Sequence, residues 1–218
     1  MTRPTPRPER LRRLRRAELP VDTVELARYL IGKSVVRELE GARLTGRIVE
    51  AEAYPIGDPA AHHFRGPTPR NRSLFLEPGH AYVYLAYGTS YMLNVSSEEA
   101  GVGGGVLLRA IEPRDGIEPM MRHRRTRRVE DLTRGPGRLA EALAITPRLD
   151  GIDLCAAGPL WLATAAEPPR PIGPIGPSGG IARVGTSVRI GLTRAARRRL
   201  RFYERGNRFV SGPRLLRA

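Results

Sequence analysis

The sequence predicts an α+β fold: one compact mixed domain on a mainly antiparallel, curved sheet, with flanking helices and a protruding β-hairpin. Two observations carry this. Strand-like segments, "KSVVREL", "RLTGRIVEAEAY", "HAYVYLAYG", "SYMLNVSS" and "GVLLRAIEP", follow one another with turn residues between them. Helical patterns precede and follow this run, and 218 residues with 40% hydrophobic content suffice for a core without staples.

Taken in order, residues 1–17, "MTRPTPRPERLRRLRRA", hold three prolines and almost no apolar surface. They read as a mobile basic arm, so the folded domain is expected to span 18–218. The first helix is expected in "VDTVELARYLIGK", with Asp22 as N-cap and Gly32 as its C-terminal signal. The five strands come next, punctuated by "GDP", "EPGH" and "GVGGG". Helices are expected around 117–128 and 137–144, the second opened by "GPG". The Pro/Gly-rich stretch 167–181 reads as loop, "LRFYERG" reads as a last strand, and no internal repeat is visible.

Charge narrows the function. Lys plus Arg number 37 against 22 acidic residues, a formal net charge of +15, which points to a polyanion, nucleic acid before membrane surface. Every basic residue except Lys33 is arginine; coding bias explains this as readily as bidentate phosphate contacts do. No run approaches the ~18 apolar residues of a membrane span. The single Cys155 makes no internal disulfide, and with four scattered histidines it offers no zinc spacing, so an intracellular, reducing setting is expected.

In "GRIVEAEAY", strand alternation places Glu50, Glu52 and Tyr54 on one face and Val49, Ala51 and Ala53 on the other. Two carboxylates on an interior strand are costly unless they face a cleft or cations; an ordinary solvated face is the alternative. Arg109 interrupts the apolar strand "GVLLRAIEP" and needs a carboxylate, which Glu50 or Glu52 can supply. Together they suggest a charged pocket, and a carboxylate held by arginine stays ionised, as a general base must. His62 and His63 follow on the next loop, as surface residues or as a flat surface for a ligand to stack on. Asp58 with the two histidines lacks further ligands for a metal, and none is expected.

Arg65, Arg70 and Arg72 in "RGPTPRNR" read as a solvated loop or as a reach for phosphates, and Arg138 in "GPGR" stands where helix N–H groups meet an anion. Four of the seven tyrosines fall in "YVYLAYGTSYMLNV". Tyr82 and Tyr84 share a strand face, the usual pattern of a core stripe, but Tyr87 falls at the tip of a hairpin, where a ring can stack on bases or wedge between them.

"RIVEAEAY", "AAHHFRGPTPRNR", "YVYLAYGTSYMLNVSS" and "VLLRAIEP", followed in order by "GPGRLAEALAI", "ARVG" and "LRFY", resemble the alkyladenine DNA glycosylase (3-methylpurine glycosylase) family over residues 19–212. The resemblance implies a monofunctional base-excision-repair enzyme that flips damaged purines from double-stranded DNA and hydrolyses the N-glycosidic bond, acting as a monomer without cofactor or metal. It implies Glu52 as general base, with Arg109 and the backbone carbonyl of Val184 holding the water. Tyr54, His62 and Tyr84 would sandwich the flipped base, Asn94 would bias the pocket among purines, and Tyr87 would be the wedge. The chain departs from the best-known members at Thr89 and Ser90 in the hairpin and at His63 and Phe64 after His62. A non-catalytic nucleic-acid-binding protein is the rival, though it leaves the pairing of Glu52 with Arg109 unexplained.

Overall fold

A computed structural model describes residues 10–166 and 184–213. Its strands are β1 (Leu11–Arg13), β2 (Ser34–Leu39), β3 (Ala42–Tyr54), β4 (Ala81–Ala86), β5 (Ser90–Ser96), β6 (Gly105–Asp115), β7 (Leu160–Ala165), β8 (Val184–Ser187) and β9 (Arg201–Glu204). The α-helices are α1 (Thr23–Leu30), α2 (Ile117–Arg124) and α3 (Pro136–Ala142). They form one mixed α+β domain.

All strand pairs are antiparallel, in the order β1-β7-β2-β3-β6-β5-β4. The 13 residues of β3 make it the organising strand. One edge pairs with β6 along most of its length; the other pairs first with β2, up to Arg47, and then with β9, from Glu50, which carries β8. One strand thus serves three neighbours, and Glu50 and Glu52 lie where the sheet branches.

Alpha-helix 1 begins as expected: the Asp22 carboxylate accepts from the N–H groups of Val24 and Glu25. Leu26, Ala27 and Leu30 of α1, and Leu139, Ala140 and Ala142 of α3, join the main core with Leu93, Val95, Leu108 and Ile111 of the sheet. No helix among the described residues is long and apolar enough to cross a membrane.

Three expectations are corrected. The folded chain starts before residue 18: β1 pairs with β7, Leu14 is fully buried, and Arg12 and Arg15 both bond Glu18. The arginines hide this strand because they lie over apolar surface, Arg13 stacking at 5.1 Å on Trp161. Residues 1–9 of the expected arm, and the loop expected at 167–181, lie outside the described residues. Strands β1, β7 and β8 were not anticipated, being short and recognisable mainly through their partners. Lastly, register shifts on either side of Glu50 break the simple alternation of β3. Ile48 joins Ala51 and Ala53 in the main core, whereas Val49 packs with Ala110, Tyr203, Phe209 and Val210.

Candidate active site

Cross-strand register assembles the site. Glu52 stands opposite Leu107, Leu107 opposite Asn94, and Asn94 opposite Tyr82, so four strands contribute to one row. Tyr54, two residues on, stands opposite Gly105. A side chain at Gly105 would run into Leu74, so the glycine allows Leu74 to pack closely against this strand. The result is a cleft of about 280 Å³ lined by Tyr54, His62, Tyr84, Asn94, Arg70 and Tyr87 among others.

Behind it lies the charged cluster. Glu50 and Glu52 have no exposed side-chain surface, and Arg109 almost none. Arg109 donates from Nε to Glu50 Oε1 at 2.9 Å and sets Nη1 at 3.2 Å from Glu52 Oε2, so it serves both carboxylates. Glu50 also accepts from Arg201 Nε (2.6 Å), the Ser211 hydroxyl (2.8 Å) and the Ser211 N–H (2.6 Å). Burial opposes its ionisation, but the Arg109 and Arg201 charges and these donors outweigh that and hold its carboxyl below the usual range. Burial likewise works against the Arg109 cation, and Glu52 and Glu50 more than restore it.

Glu52 is bonded differently. Oε1 accepts the Ile190 N–H at 2.8 Å, and Oε2 accepts the Tyr54 hydroxyl at 3.0 Å. A carboxylate offers about four lone-pair sites, and three donors surround this one, leaving room for one more. Burial first, and the Glu52 charge second, push the Tyr54 phenol well above its ordinary range, so it stays a donor. Tyr54 is the cleft residue that touches Glu52.

On the cleft wall, the rings of Tyr82 and Tyr84 stack with centroids 5.3 Å apart, and His62 meets Tyr84 edge-on at 4.4 Å. Tyr82 is both core and site: nearly fully buried, it places its hydroxyl 2.9 Å from His62 Nδ1. His62 is exposed overall, yet what burial it has, with Arg70 and His63 nearby, holds its imidazole below the usual histidine range. Burial pushes the Tyr84 phenol up to about 12. Asn94 donates from Nδ2 to the Tyr82 carbonyl at 3.1 Å, which leaves its Oδ1 as the acceptor at the cleft. His63 is instead buried beside Phe75, its Nε2 3.3 Å from the Pro55 carbonyl.

The hairpin tip projects beside the cleft. Tyr87 (φ 51°) and Gly88 (φ 68°) are both left-handed, and Thr89 N–H closes the turn on the Ala86 carbonyl at 3.0 Å. Tyr87 is 86% exposed, although left-handed backbone is unfavourable for a bulky residue. Across from it runs the loop after β8: Leu192 lines the cleft and Gly191 lies near the Tyr87 hydroxyl.

The structure therefore gathers Tyr54, His62, Tyr84, Asn94, Tyr87 and Arg70 around one cleft with Glu52 and Arg109 behind it. Arg65 and Arg72 are exposed on the adjoining loop, and exposed Arg138 on α3 lies 3.4 Å from Asp131. Val184 is the exception. It pairs with Glu204, while Glu52 stands level with Arg201 and Ser187, so Val184 falls three residues, roughly 10 Å, short along the strands. The same Arg–branched–Gly pattern recurs in "RVG" at 183–185 and "RIG" at 189–191, and it is Ile190 of the second copy that meets Glu52. Sequence reasoning also missed Arg201, an arginine inside a strand like Arg109, and Arg189. No cluster of three or more His, Cys, Asp or Glu side chains able to hold a metal ion occurs among the described residues.

The chain is similar to proteins of one known family. The family model described as "Methylpurine-DNA glycosylase (MPG)" matches residues 17–208. A protein of Mesorhizobium japonicum named as a candidate 3-methyladenine DNA glycosylase is 62% identical over 201 residues, 92% of this chain and 91% of its own. Similarly named proteins of Paraburkholderia phytofirmans (50% identical; 93% of this chain, 90% of theirs) and Chlorobaculum parvum (44%; 88% of each) match as well. The chain belongs to the methylpurine-DNA glycosylase family and is a DNA-repair hydrolase of N-glycosyl bonds.

Proposed function

We propose that this protein is a monofunctional glycosylase that flips alkylated purines out of duplex DNA and hydrolyses their N-glycosidic bond with a water activated by Glu52. One observation carries the reading: a buried carboxylate with one acceptor site to spare lies directly behind an aromatic cleft, joined to it by the Tyr54 hydroxyl. Breaking the bond develops positive charge on the sugar. Glu52 stabilises that charge and takes the water's proton. Arg109 pairs with both carboxylates, and Ile190 N–H fixes the orientation of Glu52.

The other roles follow from position. Tyr54, His62 and Tyr84 hold the base, and Asn94 Oδ1 faces its edge. An acceptor there welcomes a donor and opposes another acceptor, so Asn94 discriminates among purines. Tyr87 fills the gap in the stack that flipping leaves. Exposed Arg65, Arg70 and Arg72 on one side of the cleft, and Arg194, Arg197 and Arg198 beyond Leu192 on the other, hold phosphates. Alkylation makes the purine a good leaving group and weakens its stacking, so lability contributes to selectivity. The protein works as a monomer inside the cell.

The test incubates the protein with duplexes carrying one defined lesion each, then heats them in alkali to break abasic sites. Cleavage at alkylated purines is expected. Tight binding with no cleavage for any lesion would favour a non-catalytic DNA-binding role.

A further inference from the structure

The mechanism above makes no use of the most deeply buried ion pair near the cleft. Arg189, on the loop after β8, and Asp58, on the loop after β3, both have side chains with no exposure, and Arg189 Nη1 lies 2.5 Å from Asp58 Oδ2. The same Nη1 donates to the Ala53 carbonyl at 3.0 Å. The guanidinium carbon sits 4.5 Å from the centroid of the Tyr54 ring. Its Nε and Nη2 have no hydrogen-bond partner among the described residues.

Such an arrangement is costly, because desolvating each ion of a pair costs several kcal/mol and the three N–H donors on those two nitrogens are left over. Neutralising Asp58 does not require it. Arg198, 46% exposed, already lies 3.5 Å from the same oxygen and keeps its own charge largely in water. What Arg189 alone supplies is a flat cation against Tyr54. Arg189 is absent from the cleft lining while Tyr54 is part of it, so the guanidinium backs the ring on the side away from the cleft. The next residue, Ile190, holds the other oxygen of Glu52.

We propose that Arg189 is a positioning residue. Pinned by Asp58 and the Ala53 carbonyl, it sets the plane of the Tyr54 ring, so that the hydroxyl stays on Glu52 and the cleft side of the ring is presented to the base. This rests on the reading of Glu52 as the general base. A tyrosine ring backed only by apolar atoms can tilt, and a tilt that moves the hydroxyl by about 1 Å can cost up to 10²-fold in rate. A stacked, bidentate-capable guanidinium resists the tilt where an ammonium does not.

The test uses Arg189→Lys, which keeps a charge for Asp58 without the flat face, and the double variant Arg189→Met/Asp58→Asn, which removes the buried pair together. Each is prepared with 13Cζ-labelled tyrosine, and the Tyr54 signal is identified by its loss in Tyr54→Phe. The Tyr54 signal should move or broaden in both variants while those of the other six tyrosines hold. Single-turnover release of 7-methylguanine from methylated duplex should fall on the order of tenfold. In a Tyr54→Phe background, where no hydroxyl remains to be placed, Arg189→Lys should cost less than about twofold, the non-additivity expected of coupled residues. An unmoved Tyr54 signal, or equal penalties in the two backgrounds, overturns the proposal. A parent protein that releases no base refutes the glycosylase reading instead, and the Tyr54 signal still decides whether Arg189 sets that ring. Should Arg189→Lys fail to fold, the double variant decides alone.

Discussion

Glu50 and Glu52 are two residues apart, both fully buried and both beside Arg109, yet they are bonded differently, and if Glu52 is the base proposed above, paired substitutions to glutamine should separate them. Glu50 accepts four hydrogen bonds, two of them from buried guanidinium groups and one from a backbone N–H. Glu50→Gln leaves Arg201 without its carboxylate and turns an amide NH2 toward donors. Removing one partner of a buried pair costs about 3–5 kcal/mol. For a chain of this size each kcal/mol lowers the melting temperature by about 2–4 °C, so a fall of roughly 6–20 °C is expected. Glu50 also ties stability to acid. Its folded pKa is depressed, so its contribution is complete above the ordinary value of 4.5 and fades as pH falls through the lower folded value; the glutamine variant lacks that part of the acid response. Glu52→Gln keeps an acceptor for Ile190 N–H, and Arg109 keeps Glu50, so melting should change far less. Single-turnover excision should fall ~10²–10⁴-fold, the range of general-base catalysis, while lesion binding persists. Thermal melting followed by circular dichroism and timed excision on one duplex read both quantities. An E50Q protein that melts with its parent, or an E52Q protein that excises at near-parental rate, refutes the assignment.

Tyr87→Gly should sharply reduce the 2-aminopurine fluorescence that reports flipping, yet melt within about 2 °C of the parent, because relief of left-handed strain offsets the added chain entropy; unchanged flipping would remove Tyr87 as the wedge. Arg70→Ala/Arg72→Ala should lower the slope of log affinity against log salt on undamaged duplex by about 0.9 for each phosphate that is no longer neutralised, and an unchanged slope would place the phosphates elsewhere. Borohydride should trap no protein–DNA adduct, since the only lysine, Lys33, stacks on Tyr29 at 4.6 Å and pairs alongside Ile48, four residues from Glu52; a robust adduct lost in Lys33→Ala would overturn the direct-water mechanism.

Much of the fold was legible because local signals and tertiary structure agree. Asp22 caps the helix its position promised, and "YGTS" turns at Tyr87 and Gly88, as a glycine at the second turn position suggests. β1 was illegible for a physical reason: its arginines contribute backbone hydrogen bonds to β7 and aliphatic cover to Trp161, and neither shows in a hydrophobic pattern. Only Val49 was misplaced on β3, because the bulge beside Glu50 leaves no mark in the sequence; Glu50, Glu52 and Tyr54 gather on one side as their alternation promised.

The misplacement of Val184 shows where motif reading fails. "RVG" and "RIG" are equivalent as patterns, and strand register chooses between them: only the second copy lies at the level of Glu52 once β9 has paired with β3. That choice has a chemical consequence. From the first copy a backbone group would lie about 10 Å away. From the second, Ile190 holds one oxygen of Glu52 while Arg189, one residue earlier, backs the tyrosine that holds the other. Both oxygens are thus oriented from one short loop. On the proposed reading of Glu52 as general base, its orientation therefore rests on a loop that the buried Arg189–Asp58 pair ties to the loop after β3.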